Sequence, residues 1–81
     1  MTEEPWLRIE FAATENAPFT VMFEPSGMSY ELGPSDRMFA DVLEPHTNKF
    51  VIEHWDRGIS IWAPGGVVTR NVNGSELHRL N

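Results

Sequence analysis

Two tryptophans and a tyrosine are the residues of this chain whose side chains are best suited to binding. Trp55 and Trp62 flank a predicted reversal at residues 56–58, so a β-hairpin would bring them close together, and Tyr30 lies in an earlier predicted strand. Aromatic faces offer a large contact area at small entropic cost. Together they could therefore receive a sugar ring, a nucleobase or a side chain of another protein. Core packing is the competing role, because a protein this small fills its interior largely with aromatics.

Trp62 is the strongest of the three candidates for exposure. Ile59 and Ile61 already supply the opposite face of its strand, and successive strand residues point to opposite sides. Arg57 lies within the reversal between the two tryptophans. The candidate binding residues are Tyr30, Trp55, Arg57 and Trp62.

No group of residues has the spacing of a catalytic or metal-binding motif. His46, His54 and His78 could act as neutral metal ligands, but no two lie at i, i+2 or i, i+4. Ser60 could face His54 across a hairpin, although such a pair is usually a surface pair rather than a nucleophile and its base. Gly65-Gly66 is followed neither by a helix start nor by Lys-Ser/Thr, which a phosphate loop requires. We therefore expect no enzymatic activity, no metal and no cofactor.

Length and composition predict a single small domain over residues 1–81. A chain of 81 residues buries only about 60 to 65% of the surface that its unfolded form exposes, so its core is thin. There is no cysteine, which excludes a disulfide framework and favours a reducing compartment. The start of the chain lacks the basic and apolar stretches of a signal peptide, and no apolar run approaches the roughly 20 residues that span a bilayer. We expect a cytoplasmic protein that does not enter a membrane.

The charge is acidic and unevenly distributed. The net charge is −6; residues 1–44 hold nine acidic and two basic side chains, and residues 45–81 hold three acidic and four basic ones. Binding to DNA or RNA needs a dense basic footprint, so nucleic acid is not an expected partner. An acidic face could instead meet a basic partner, or simply keep the protein soluble.

The apolar residues alternate with polar ones, and glycine and proline breakers lie close together, which is typical of short strands and turns. Seven or eight short strands fit into the chain. Because the connections are short, antiparallel neighbours are expected. The sequence predicts an all-β fold, either a small antiparallel β-sandwich or a partly open β-barrel of about seven strands.

Two local features stay open at this point. Residues 36–43 fit a strand better, but Ser35 could cap a short helix there, because Met38 and Val42 are at helical spacing. The reversal after Trp55 could be a three-residue loop in which Gly58 takes the left-handed position and Trp55 pairs with Ile59. Alternatively, a two-residue loop would pair Trp55 with Ser60. That pairing decides which face of the sheet Trp55 joins.

Acidic segregation and an aromatic hairpin together predict a small acidic binding or accessory protein, which acts through an interface with another protein. That partner could be basic. One alternative is a small-ligand or carbohydrate-binding module that uses the aromatic surface. The other is a self-associating structural subunit that forms a homo-oligomer through an exposed strand edge.

Overall fold

The protein is a sandwich of two four-stranded β-sheets. A computed structural model describes residues 5–14, 18–43 and 50–80, and these segments contain eight strands and no helix. The strands are β1 (Leu7–Ala12), β2 (Phe19–Glu24), β3 (Met28–Leu32), β4 (Arg37–Val42), β5 (Val51–Trp55), β6 (Gly58–Trp62), β7 (Val67–Arg70) and β8 (Glu76–Leu80). Their order is β3-β2-β6-β5 in one sheet, here called the front sheet, and β1-β4-β7-β8 in the other, the back sheet. The predicted all-β fold is confirmed, and within these segments nothing forms a helix that could cross a membrane.

The expectation of purely antiparallel neighbours is wrong at one position, since β2 and β6 run parallel. The short hairpins β2–β3 and β5–β6 are antiparallel as expected. Between them, however, the chain crosses to the back sheet to form β4 and then returns to the other side of β2. Short connections dictate the direction of adjacent strands only, whereas β2 and β6 are distant in the sequence.

The alternative of a short helix near residues 36–43 is wrong, because this segment is strand β4. Ser35 is not a helix cap: it adopts a φ of 68° in a turn. Asp36 closes that turn by accepting the Gly33 backbone N–H at 2.8 Å. Strand alternation then places every second residue of β4 in the core: Met38, Ala40 and Val42.

The hydrophobic core lies between the two sheets and contains the inward residues that the alternation predicted. Phe23 of the front sheet is almost completely buried. Its ring meets Phe11 of the back sheet and Tyr30 of β3 edge-on, with centroids 6.1 and 5.8 Å apart. None of the three tryptophans belongs to the core, and all three are exposed on the surface.

Candidate functional site

The turn between β5 and β6 fixes the position of the first tryptophan of the candidate site. Trp55 pairs with Gly58, so only Asp56 and Arg57 form the turn. The two-residue length is confirmed, whereas both predicted partners of Trp55, Ile59 and Ser60, are wrong. Arg57, rather than Gly58, adopts the left-handed conformation, with a φ of 65°. Gly58 has a different role, because a Cβ at this position would collide with the indole of Trp55 unless the indole moved. The indole of Trp55 therefore lies directly on the backbone of Gly58.

This register places Trp55 and Trp62 on the same side of the front sheet. Trp55 pairs with Gly58 of β6, so it points to the same side of the sheet as Gly58 and Trp62. Ile59 and Ile61, which alternate with them on β6, point into the sandwich. Trp55 is 44% exposed and Trp62 is 40% exposed. They are not adjacent, however. Trp55 is level with Gly58, and Trp62 lies four positions further along β6, which is about 14 Å at ~3.4 Å per residue. The outward side of the front sheet, which carries both, is called the front face below.

Carboxylates surround the tryptophans on the front face. Register pairs place Glu24 beside Trp62 and Glu53 beside Ser60. Glu31 lies at the β3 end of the same face and accepts a hydrogen bond from Thr20 Oγ1 at 2.9 Å. No ion pair between these carboxylates and an arginine is found among the described residues. The front face therefore combines exposed aromatic rings with carboxylates that no arginine neutralises within the described segments.

Arg57 is the one basic side chain of the described front-sheet strands and turns. The same segments contain four acidic residues. It lies at the tip of the β5–β6 turn and is exposed. Its carbonyl oxygen accepts the backbone N–H of Thr20 at 3.0 Å, which fixes the turn against β2. Arg57 is thus at the margin of the front face, next to Trp55.

Tyr30, by contrast, does not belong to the front face. It points into the sandwich, where its hydroxyl lies 2.8 Å from Thr69 Oγ1 and 2.9 Å from His78 Nδ1 of the back sheet. Burial raises the pKa of the Tyr30 hydroxyl, and the hydrogen bond with Thr69 partly offsets this effect. The structure therefore places Tyr30 as a hydrogen-bonded link between the sheets, away from Trp55 and Trp62.

Ion pairs connect the charged side chains on the outer side of the back sheet. The Asp41 carboxylate accepts bonds from Arg8 Nε and Nη2 at 2.6 and 2.9 Å, and from Arg70 Nε at 2.9 Å. These hydrogen bonds, those from Arg8 above all, hold the pKa of the Asp41 carboxyl below its usual value. Glu10 pairs with Arg37 on the same sheet at 2.6 Å. The charges of this surface are largely satisfied internally, unlike those of the front face.

Ser60 and His54 do not face each other across the hairpin. His54 pairs with Ile59, whereas Ser60 pairs with Glu53. Those two side chains point to opposite sides of the sheet. His46 lies outside the described residues. Across the segments that the structure describes, no three histidine, aspartate or glutamate side chains converge on a metal position.

The carboxylates beside the tryptophans were missed as site residues at the level of the sequence. Glu53 has the parity of Trp55 on the same strand, so local alternation was a sufficient signal for it. Glu24 lies beside Trp62 only because β2 and β6 are paired, and no local pattern carries that information. Comparison of the chain with known proteins adds no assignment: no family model, no curated protein and no solved structure matches it.

Proposed function

We propose that this chain is a small acidic binding protein that docks another protein, one with a basic surface, on its front face. The observation that carries the proposal is the contrast between the two outer surfaces. On the back sheet, Arg8 and Arg70 neutralise Asp41. On the front face, two tryptophans and three glutamates have no such internal partners among the described residues. Aromatic anchors and complementary charge are the features that supply affinity and association rate at protein interfaces.

Trp62 is the proposed anchor of this interface. Its register partners are Val51 on one side and Glu24 on the other. Val51 is also an exposed apolar residue, so the two form a small apolar patch bordered by a carboxylate. Such a patch suits a partner that offers an apolar side chain flanked by lysine or arginine.

The geometry favours a protein interface over a module for a small ligand. The two tryptophans are about 14 Å apart along the strands, which is too far for one sugar ring to stack on both. Tyr30, the third member of the suggested platform, faces the interior. A titration of tryptophan fluorescence with a panel of sugars and nucleotides distinguishes the two functions, because we expect no change in emission at millimolar ligand. We also propose that the protein acts without catalysis and in the cytoplasm.

The experiment compares variants of one exposed apolar residue on each sheet. Trp62→Ala should leave the fold intact, because the side chain is outside the core, and should weaken capture of a partner at least about ten-fold, as loss of an anchor does. Leu77→Ala is the matched control, because Leu77 is similarly exposed on β8 of the back sheet. Each immobilised variant is used to capture proteins from a cell extract, and bound proteins are quantified. Equal capture by both variants, with native circular dichroism, would reject the front face as the binding surface.

A further inference from the structure

Strand β5 forms an open edge of the front sheet. Each of its five residues is exposed, and among the described strands only β6 pairs with it. The Arg57 carbonyl accepts the Thr20 N–H, and Ala63 donates to the Glu24 carbonyl. The backbone groups of odd-numbered β6 residues are therefore directed towards β2, and those of even-numbered residues towards β5.

This alternation identifies the unpaired backbone groups of β5. Its register pairs Val51, Glu53 and Trp55 with even-numbered residues of β6, so these three residues form the hydrogen bonds of the hairpin. The N–H and C=O groups of Ile52 and His54 point away from β6. They are the groups that another strand would bond.

The core is incomplete at the same edge. Ile52 faces inward, as does Ile61, its register partner. Ile61 is completely buried, whereas Ile52 is 49% exposed. An additional strand beside β5 would cover the inward face of Ile52, as β6 and its neighbours cover Ile61.

The edge also lacks the features that usually prevent strand pairing. β5 contains no proline, no lysine and no arginine, and its one carboxylate, Glu53, points to the front face. By contrast, β1, an edge strand of the back sheet, carries both Arg8 and Glu10. A strand added to β5 would thus meet backbone donors and acceptors. Its inner side would lie beside Ile52 and His54, and its outer side beside Glu53.

We propose that an extended segment of a partner protein, in which apolar residues alternate with lysine or arginine, adds to β5 as a further strand of the front sheet. Its apolar side chains cover Ile52, and its basic side chains lie on the front face beside Glu53. This inference rests on the proposed function and specifies the chemistry of the partner. A second copy of the chain fits less well, because its net charge of −6 would bring one acidic front face alongside another.

The test uses the blocked heptapeptide Lys-Val-Lys-Val-Lys-Val-Lys, and amide hydrogen exchange of the full chain is followed by nuclear magnetic resonance. Without peptide, the N–H groups of Val51, Glu53 and Trp55 should exchange slowly and those of Ile52 and His54 quickly. With about 1 mM peptide, a concentration near the weak limit of specific binding, Ile52 and His54 should slow at least about ten-fold. The same peptide N-methylated at every residue keeps its charge and side chains but has no N–H to donate, and it should slow neither.

Three variants separate the contribution of charge from that of the strand edge. Glu53→Gln should weaken binding of the heptapeptide about two- to five-fold at low salt, and this difference should vanish at about 0.5 M salt. Ile52→Lys should weaken binding at least about ten-fold because it places a cation on the edge. Leu77→Lys, which adds the same charge at an exposed position of the back sheet, should weaken binding by less than about two-fold at the same salt.

The possible outcomes separate this inference from the proposed function. Unchanged exchange at Ile52 and His54 overturns strand addition, whereas the proposed function still stands if Trp62→Ala reduces capture. Equal slowing by the methylated peptide also overturns it, because the contact would then be charge alone. Slow exchange at both residues without peptide, together with a sedimenting mass twice the monomer's 9.2 kDa, would assign the edge to a second copy. Slowed exchange with peptide, combined with unchanged capture by Trp62→Ala, would instead reject the front-face function.

Discussion

Replacing Asp41 by asparagine tests whether the ion pairs of Asp41 with Arg8 and Arg70 stabilise the fold. The Asp41 side chain is only 4% exposed, and its two carboxylate oxygens accept three hydrogen bonds from Arg8 and Arg70. Asparagine offers a single acceptor oxygen and no charge. The variant therefore loses at least one of these bonds and leaves two guanidinium groups near each other without an anion between them.

The expected loss of stability follows from these contacts. A buried hydrogen bond to a charged group contributes about 1.5 to 3 kcal/mol. Both arginines are partly exposed, so water compensates for much of the loss, and we expect the variant to be about 2 kcal/mol less stable. A domain of this size has a total free energy of unfolding of about 4 to 12 kcal/mol. Because each kcal/mol shifts the melting temperature by roughly 4 to 8 °C, Asp41→Asn should lower it by about 8 to 16 °C.

Thermal unfolding followed by circular dichroism measures this loss, and its pH dependence gives a second test. The pKa of Asp41 is lower in the folded protein than in the unfolded chain, where it is about 3.9. The stabilisation is therefore complete above the unfolded value and is lost as the pH falls through the folded value, so the two proteins should converge well below pH 4. Glu10→Gln is the control, because Glu10 and Arg37 are both exposed and their pair should contribute under about 1 kcal/mol. A loss from Asp41→Asn no larger than from the control would refute the reasoning.

Three further predictions concern the residues that define the two faces of the front sheet. Gly58→Ala should displace the Trp55 indole, shift its indole N–H resonance and change stability by less than about 1 kcal/mol, since Gly58 has no positive φ; an unmoved resonance would argue against the close packing. Tyr30→Phe removes the hydroxyl shared with Thr69 and should cost about 1 kcal/mol in urea unfolding at an unchanged m-value; no measurable cost would show that this bond contributes no net stability. The indole N–H groups of Trp55 and Trp62 should exchange quickly with solvent, and slow exchange at either would place that side chain in the interior.

The faces of the strands could be predicted from the sequence, because strand alternation is a local property. The inward positions of Phe23, Ile59 and Ile61 follow from a period of two and from their apolar side chains. The same rule placed Trp62 on the opposite side from the two isoleucines. The composition of the core was thus predictable once the segments were identified as strands.

Long-range pairing and the geometry of one turn could not be predicted in this way. The parallel pair of β2 and β6 depends on the excursion of β4 to the other sheet, which leaves no local trace. In the β5–β6 turn the left-handed residue is Arg57 rather than Gly58, although glycine adopts this conformation most readily. The indole of Trp55 occupies the space where a Cβ of residue 58 would lie. This contact, rather than backbone freedom, accounts for a glycine at that position. Tyr30 shares the parity of the apolar residues Met28 and Leu32, so strand alternation predicts its inward side chain; the interpretation of Tyr30 as a surface binding residue rested on its residue type alone.

The acidic residues are distributed differently in the fold than along the sequence. By sequence, acidity separates residues 1–44 from residues 45–81. In the fold, Glu10 and Asp41 of the first half pair with arginines on the back sheet, whereas Glu24 and Glu31 join Glu53 of the second half on the front face. Charge is therefore distributed by sheet rather than by half of the chain. On the front face, carboxylates that have no arginine partner among the described residues lie beside exposed tryptophans and the open edge of β5. The proposed basic partner would therefore meet charge, apolar surface and backbone hydrogen-bonding groups on one side of the protein.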